Sequence, residues 1–142
     1  MNYILEHLNV FRLVVDFGLV VLIWMVQLII YPGFLFYKTA SLLKWHRYYT
    51  PRITIVVAPL MFIQMGVSLY HLIFEFGSLH LIYFLLVSST WLSTFAYFVP
   101  LHQKIETDSD PLFSAKKLTS GNWIRTFQWT LIFIFSLIAF SS

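Results

Sequence analysis

The 142-residue sequence contains no cysteine. That absence removes disulfides, thiolate-held zinc, iron–sulfur clusters and thiol nucleophiles. Charge is scarce too. Asp, Glu, Lys and Arg make up 11% of the chain, and only nine residues are Lys or Arg. Those nine stand beside apolar segments and do not form a stripe, so no nucleic-acid partner is expected. Gly and Pro number five each, which leaves the long apolar runs largely unbroken. The opening Met1-Asn2-Tyr3-Ile4-Leu5-Glu6-His7 has no basic region of the kind that begins a secretory signal, and no small-residue cleavage site follows the first apolar run. That run is expected to remain as a helix.

What is present is apolar. Hydrophobic residues are 59% of the chain and aromatic residues 20%, with fifteen Phe, and the mean hydropathy is +0.79. A bilayer core of about 30 Å takes roughly 20 apolar residues per helix. Four stretches reach that length, at about 10–31, 51–74, 79–99 and 122–140. The expected fold is all-α, a polytopic membrane protein in which residues 1–142 form one transmembrane domain, a four-helix up-down bundle. Its first partner is the lipid bilayer. Thr50-Pro51 supplies a capping residue followed by proline at the first helical position, and it marks the expected start of the second helix. Pro59 should kink that helix and open space in the bundle.

The connection Phe76–Ser78 is so short that the second and third helices must form an antiparallel hairpin. Residues 33–49 mix Phe34, Leu35, Phe36, Leu42, Leu43 and Trp45 with Lys38, Lys44 and Arg47, a composition suited to an interfacial helix on the membrane surface. Residues 102–121 carry Glu106, Asp108 and Asp110 and read as a solvated loop. Eight of the nine basic residues fall on the side of these two long connections, with Arg12 alone opposite. The positive-inside rule makes that side cytoplasmic and both termini periplasmic, as in a bacterial inner membrane. Trp24 precedes Pro32 much as Trp91 precedes Pro100, but two such pairs do not define a repeat.

At about 100° per residue, each span gathers its polar residues on one side. Towards the cytoplasmic end these are Trp24, Gln27, Tyr31, His46, Tyr49, Trp91, His102, Asn122, Arg125 and Trp129. Towards the outer end they are Arg12, Asp16, Gln64, Ser68, His71, Glu75 and His80. Arg125 is the most informative, because a helix starting at Asn122 would point free N–H groups and its positive dipole end at an anion beside the guanidinium. Asn122, Gln27, Tyr31 and Tyr49 add hydrogen-bonding groups and Trp24, Trp91 and Trp129 an aromatic wall, the makeup of a pocket for a lipophilic small molecule. His46 and His102 are the candidate proton-transfer residues. Asp16 sits four residues after Arg12 and is expected to pair with it. A haem would need axial nitrogens at matching depth, which His46 with His102, or His71 with His80, would supply. No helix carries His-x-x-x-His or Glu-x-x-His, so no compact metal site is expected.

Trp24-Met25-Val26-Gln27-Leu28-Ile29-Ile30-Tyr31-Pro32, with Tyr37 and Ala58-Pro59-Leu60-Met61, resembles the small bacterial four-helix, haem-binding protoporphyrinogen oxidases. In that family a Trp, a Pro and a Tyr follow a helix-one histidine, and a Pro-x-Met lies in helix two. Phe17 stands about where that histidine would be, so the resemblance carries no haem ligand over to this chain. Pro100-Leu101-His102, with Asn122-Trp123-Ile124-Arg125-Thr126 and Trp129, is similar to small bacterial four-helix membrane proteins without an assigned activity and to anthrone-oxygenase-like proteins. That second likeness implies cofactor-independent oxygen chemistry on a hydrophobic aromatic substrate. The residues also fit a non-catalytic subunit or lipid-binding accessory protein, alone as a homo-oligomer or within a larger membrane complex.

Overall fold

A computed structural model describes residues 2–141, with side chains from 7 to 140. The signal-sequence reading of Met1 to Glu6 therefore lies outside the described side chains, and Met1 and Ser142 lie outside the described residues. Every element is helical: α1 (Asn2–Met25), a π turn (Val26–Ile30), α2 (Tyr31–Phe34), α3 (Thr39–Phe74), α4 (Ser78–Ser93), a second π turn (Thr94–Phe98), α5 (Val99–Thr107), α6 (Pro111–Gly121) and α7 (Trp123–Ser141). Four continuous rods, His7–Phe34, Thr39–Phe74, Ser78–Thr107 and Pro111–Phe140, are long and apolar enough to cross a membrane.

The rods form a ring in which α1 packs on α3 and α7, and α4 on α3 and α7. The buried core runs along the ring axis through Val15, Leu19, Ile23, Tyr83, Val87, Trp129 and Ile132. The outward faces are also apolar: Phe17, Ile29, Ile55, Phe62, Leu92, Phe95 and Phe127 are all exposed. Isolated exposed apolar residues are ordinary, but a girdle of this size has no stabilising solvent in water.

Three sequence expectations are corrected. The second rod begins at Thr39, not at Pro51, and Pro51 and Pro59 both lie inside it. Proline removes one backbone donor and crowds the preceding turn. Local side-chain bonds span the Pro51 turn: Arg52 Nη1 donates to the Tyr48 carbonyl at 2.9 Å and Thr54 Oγ1 to the Thr50 carbonyl at 2.8 Å. Buried Leu42, His46 and Tyr49 hold the upstream turns against the rest of the protein. At about 1.5 Å per residue the 36-residue α3 is about 54 Å long, so the expected interfacial helix is instead the projecting end of this rod.

The expected loop at 102–121 is likewise mostly helix. Asp110 caps α6 by accepting from the Phe113 N–H at 3.1 Å, with Pro111 at the first helical position. Buried Leu101, Ile105, Ala115 and Leu118 pack this segment onto Phe34 and Leu42. The result is a helical cap at one end of the bundle, opposite the hairpin of α3 and α4. Finally, Asn122 is a turn between two joined helices. Its N–H reaches the Leu118 carbonyl at 3.0 Å, and its own carbonyl accepts from the Thr126 N–H at 2.9 Å. Arg125 thus does not stand at a free helix N-terminus.

Candidate functional site at the cap end

The two π turns shape this region. Each lies just before a proline, Pro32 or Pro100, whose missing N–H breaks the regular ladder. The wide turns carry Gln27 and Phe98 and are followed by Tyr31 and His102, all close to the junction of bundle and cap.

Four side chains form a directed hydrogen-bond chain. Tyr31 Oη lies 3.0 Å from His102 Nε2, His102 Nδ1 lies 2.9 Å from His46 Nε2, and His46 Nδ1 lies 3.1 Å from Glu106 Oε1. An ionised carboxylate only accepts, so His46 Nδ1 carries the donated proton. His46 Nε2 then accepts from His102 Nδ1–H, and His102 Nε2 accepts from the Tyr31 hydroxyl, a tautomer assignment that follows from the network. Every donor points the same way, from Tyr31, 3% exposed, towards Glu106, whose side chain is 36% exposed. Thr50 Oγ1 also reaches His46 Nε2 at 3.3 Å, and Arg47 Nε stands 3.6 Å from Glu106 Oε2.

Arg125 lies beside the inner end of this chain. It is 8% exposed, and its guanidinium carbon stands 4.8 Å from the Phe98 ring centroid and 4.9 Å from that of Trp129. Tyr31, Tyr49 and His102 are among the ionisable groups close enough to feel its charge. Among the described residues it has neither a carboxylate partner nor a hydrogen-bond acceptor, and its Nε is a buried donor without a partner. The Tyr49 hydroxyl is buried and unpartnered as well. Buried polar groups ordinarily find partners, because leaving one unsatisfied costs about 1–3 kcal/mol and more when the group is charged.

Behind Arg125, Asn122 Nδ2 donates to Gln27 Oε1 at 3.0 Å, while Gln27 Nε2 donates to the Thr119 carbonyl at 3.3 Å. Asn122 Oδ1 remains a buried acceptor with no donor. The structure therefore brings His46, His102, Tyr31, Tyr49 and Arg125 together, with Gln27 and Asn122 as backing and Trp129 as a wall. It does not bring Trp24 and Trp91 there. Trp24 is 37% exposed, donates to Thr130 Oγ1 at 3.1 Å and meets Trp123 edge-on. Trp91 packs on Phe62 and Phe95.

Sequence reasoning missed Glu106, Thr50, Phe34 and Phe98. Phe34 stacks edge-on against both His46 and Tyr49. Glu106 carries a signal, since it lies one helical turn beyond His102, in a stretch whose composition reads as loop. As placed, the histidine pair does not suit haem. His46 Nε2 and His102 Nδ1 share one hydrogen bond at 2.9 Å, whereas two axial nitrogens on one iron stand about 4 Å apart, twice a metal–nitrogen bond of about 2 Å.

At the hairpin end, the expected Arg12–Asp16 ion pair is not formed within 4 Å. Arg12 instead lies over the Tyr83 ring, 5.0 Å from its centroid. Asp16 accepts from Gln64 Nε2, from the Tyr83 hydroxyl at 2.9 and 3.0 Å, and from Ser136 Oγ. One carboxylate thus joins all four rods. Comparison with protein-family models, curated proteins and solved structures finds no match to this chain.

Proposed function

We propose that this is an integral protein of a bacterial inner membrane, crossing it four times, with both termini periplasmic and the helical cap cytoplasmic. The girdle of exposed apolar residues and the eight basic residues at the cap end support that orientation. In this reading the cap-end site binds a lipophilic aromatic molecule through an anionic oxygen held by Arg125, and the protein acts as a membrane oxidoreductase of the oxygenase-like kind.

One observation carries the reading: a buried guanidinium with aromatic faces on two sides and no acceptor of its own stands at the start of a proton path. Phe98 and Trp129 supply apolar walls, and the unpartnered hydroxyl of Tyr49 supplies a further donor. A phenolic substrate bound there would lose its proton to Tyr31 Oη as Tyr31 passes its own proton to His102 Nε2. Each imidazole in turn takes a proton on one nitrogen and gives one from the other, ending at Glu106. Arg125 stabilises the resulting aromatic oxyanion, and dioxygen, the oxidant, would replace one ring C–H by C=O to give a quinone while its other oxygen atom leaves as water. His46 and His102 are the proton-transfer residues, while Gln27 and Asn122 hold the wall on which Arg125 rests.

A second reading, a lipid-binding or accessory subunit of a larger complex, is favoured by a different feature. An open apolar groove of about 470 Å³ runs along Val20, Val21, Trp24, Met25, Leu28, Ile29 and Phe133. It suits an acyl chain or a partner helix, including one from a second copy. Mass spectrometry of small molecules extracted from purified protein separates the two. The enzyme reading expects a stoichiometric aromatic anion in the wild type that is missing from a folded Arg125→Ala variant. Equal retention by both proteins, or a stoichiometric partner chain with no small molecule, would overturn it.

A further inference from the structure

The hairpin end holds a second histidine cluster, remote from the Arg125 site. His71 and Glu75 lie one turn apart near the end of α3, and His80 enters across the turn in the first turn of α4. One potential ligand atom from each of the three residues lies within 4.8 Å of the other two. The imidazoles of His71 and His80 are stacked, with centroids 5.2 Å apart and planes 15° from parallel.

Each ring is already oriented through one nitrogen. His71 Nδ1 bonds the Glu75 carboxylate, and His80 Nδ1 donates to the Glu75 backbone carbonyl. Each ring also has a nitrogen to spare. His71 is 0% exposed, yet its Nε2 is a buried polar atom without a partner, and no hydrogen bond engages His80 Nε2. Metal-binding histidines have this arrangement, in which one nitrogen is fixed by a carboxylate or carbonyl and the other is left for the ion.

We propose that His71, Glu75 and His80 form a binding site for a borderline divalent transition-metal ion, zinc being the type case. Two imidazoles and one carboxylate make a donor set of that class, with water completing a tetrahedron. Donor atoms around one zinc ion stand about 3.4 Å apart, given bonds of about 2.0–2.1 Å. Glu75 cannot hold His71 Nδ1 and also ligate an ion on His71 Nε2, so loading swings the partly exposed Glu75 carboxylate from Nδ1 to the ion while the partly exposed His80 rotates to meet it. Arg12 is the nearby opposing charge. It lies over the Tyr83 ring, 5.0 Å from its centroid. The helix-spacing templates in the sequence miss this set because its third member arrives from the next helix. A bound ion would fasten α3 to α4 across their shortest connection.

The test uses the full tag-free chain in nanodiscs, stripped with chelator and titrated with zinc against a chromophoric competitor. One zinc per chain is expected, and cobalt(II) should give the visible absorption of a four-coordinate site. His80→Ala and Glu75→Gln should each weaken zinc binding by about tenfold or more with helicity unchanged by circular dichroism. His46→Ala and His102→Ala should leave it unaltered, which separates this site from the one at the cap end. Zinc should also raise the unfolding midpoint of the wild type and not that of His80→Ala. Zinc binding equally tight in His80→Ala and Glu75→Gln, or no competition with the chelator in the wild type, would overturn the proposal.

Discussion

The bundle buries one carboxylate and two guanidiniums and treats the two kinds of charge in opposite ways, since Arg12 Nε and Arg125 Nε are both unpartnered while Asp16 is fully bonded. Around Asp16 the polar groups are closed on one another: Gln64, Tyr83 and Ser136 all donate to one carboxylate, and Gln64 also accepts from Trp129 Nε1 at 3.4 Å. Around Arg125 they are open. The guanidinium has aromatic faces but no acceptor, Tyr49 has no partner, and the chain of His102, His46 and Glu106 leads to the surface. A satisfied network of this kind specifies how helices meet, whereas unpartnered polar groups of similar burial call for a physical account of their own. The two histidine pairs divide the other way: both stack with centroids 5.2 Å apart, but at the cap end His46 and His102 also bond each other, while at the hairpin end His71 and His80 do not.

The contrast breaks most sharply at Asp16. Asp16→Leu leaves three buried donors from three helices unpaired, and each lost acceptor costs about 1–3 kcal/mol. Detergent- or heat-induced unfolding followed by circular dichroism should show loss of the folded state or a drop of about 3 kcal/mol or more. Arg125→Met should go the other way on the same assay. Replacing an unpaired buried charge by an apolar side chain is often neutral or stabilising, so its unfolding free energy should stay within about 1 kcal/mol of the wild type or rise. A strong loss of stability in Arg125→Met would mean that Arg125 belongs to the scaffold, as Asp16 does.

Next in size is the relay. His102→Phe removes the central link between Tyr31 and His46, and turnover of an aromatic phenol should fall by about 10²-fold or more while binding of the same phenol is kept. Glu106→Gln should slow it less, because water at the exposed end can replace the carboxylate. The smallest expected effect is Ser136→Ala. It removes one of several donors to Asp16 and should lower stability by about 1 kcal/mol without altering ligand retention.

The sequence showed the four apolar rods and placed most polar residues on their inward faces, because apolar length and helical periodicity are strong local signals. It did not show where the rods end. Thr50-Pro51 looks like a helix start, yet burial of Leu42, His46 and Tyr49 outweighs the proline penalty and carries the helix back to Thr39. Asp110-Pro111 is the same kind of signal and does begin a helix, although the acidic residues around it give that stretch the composition of a loop. The π turns were not legible. Each shifts the angular phase of the residues beyond it, so a wheel of constant 100° places Trp24 and Trp91 in a wall that the folded chain builds from Phe98 and Trp129. Arg12 and Asp16 have ion-pair spacing, but the partners that Asp16 takes lie on three other helices, and pairings across helices leave no trace in local periodicity.

The most direct measurement of the central claim compares two ligands that differ by one charge and one methyl group. Naphthoate and its methyl ester would be titrated into wild-type protein and into Arg125→Met in nanodiscs, following tryptophan fluorescence and correcting for partition into lipid. An open guanidinium predicts that the wild type binds the anion more tightly by about tenfold or more, a difference of about 1.4 kcal/mol, and that the preference collapses to near unity in Arg125→Met. Equal affinity for anion and ester in the wild type would contradict it.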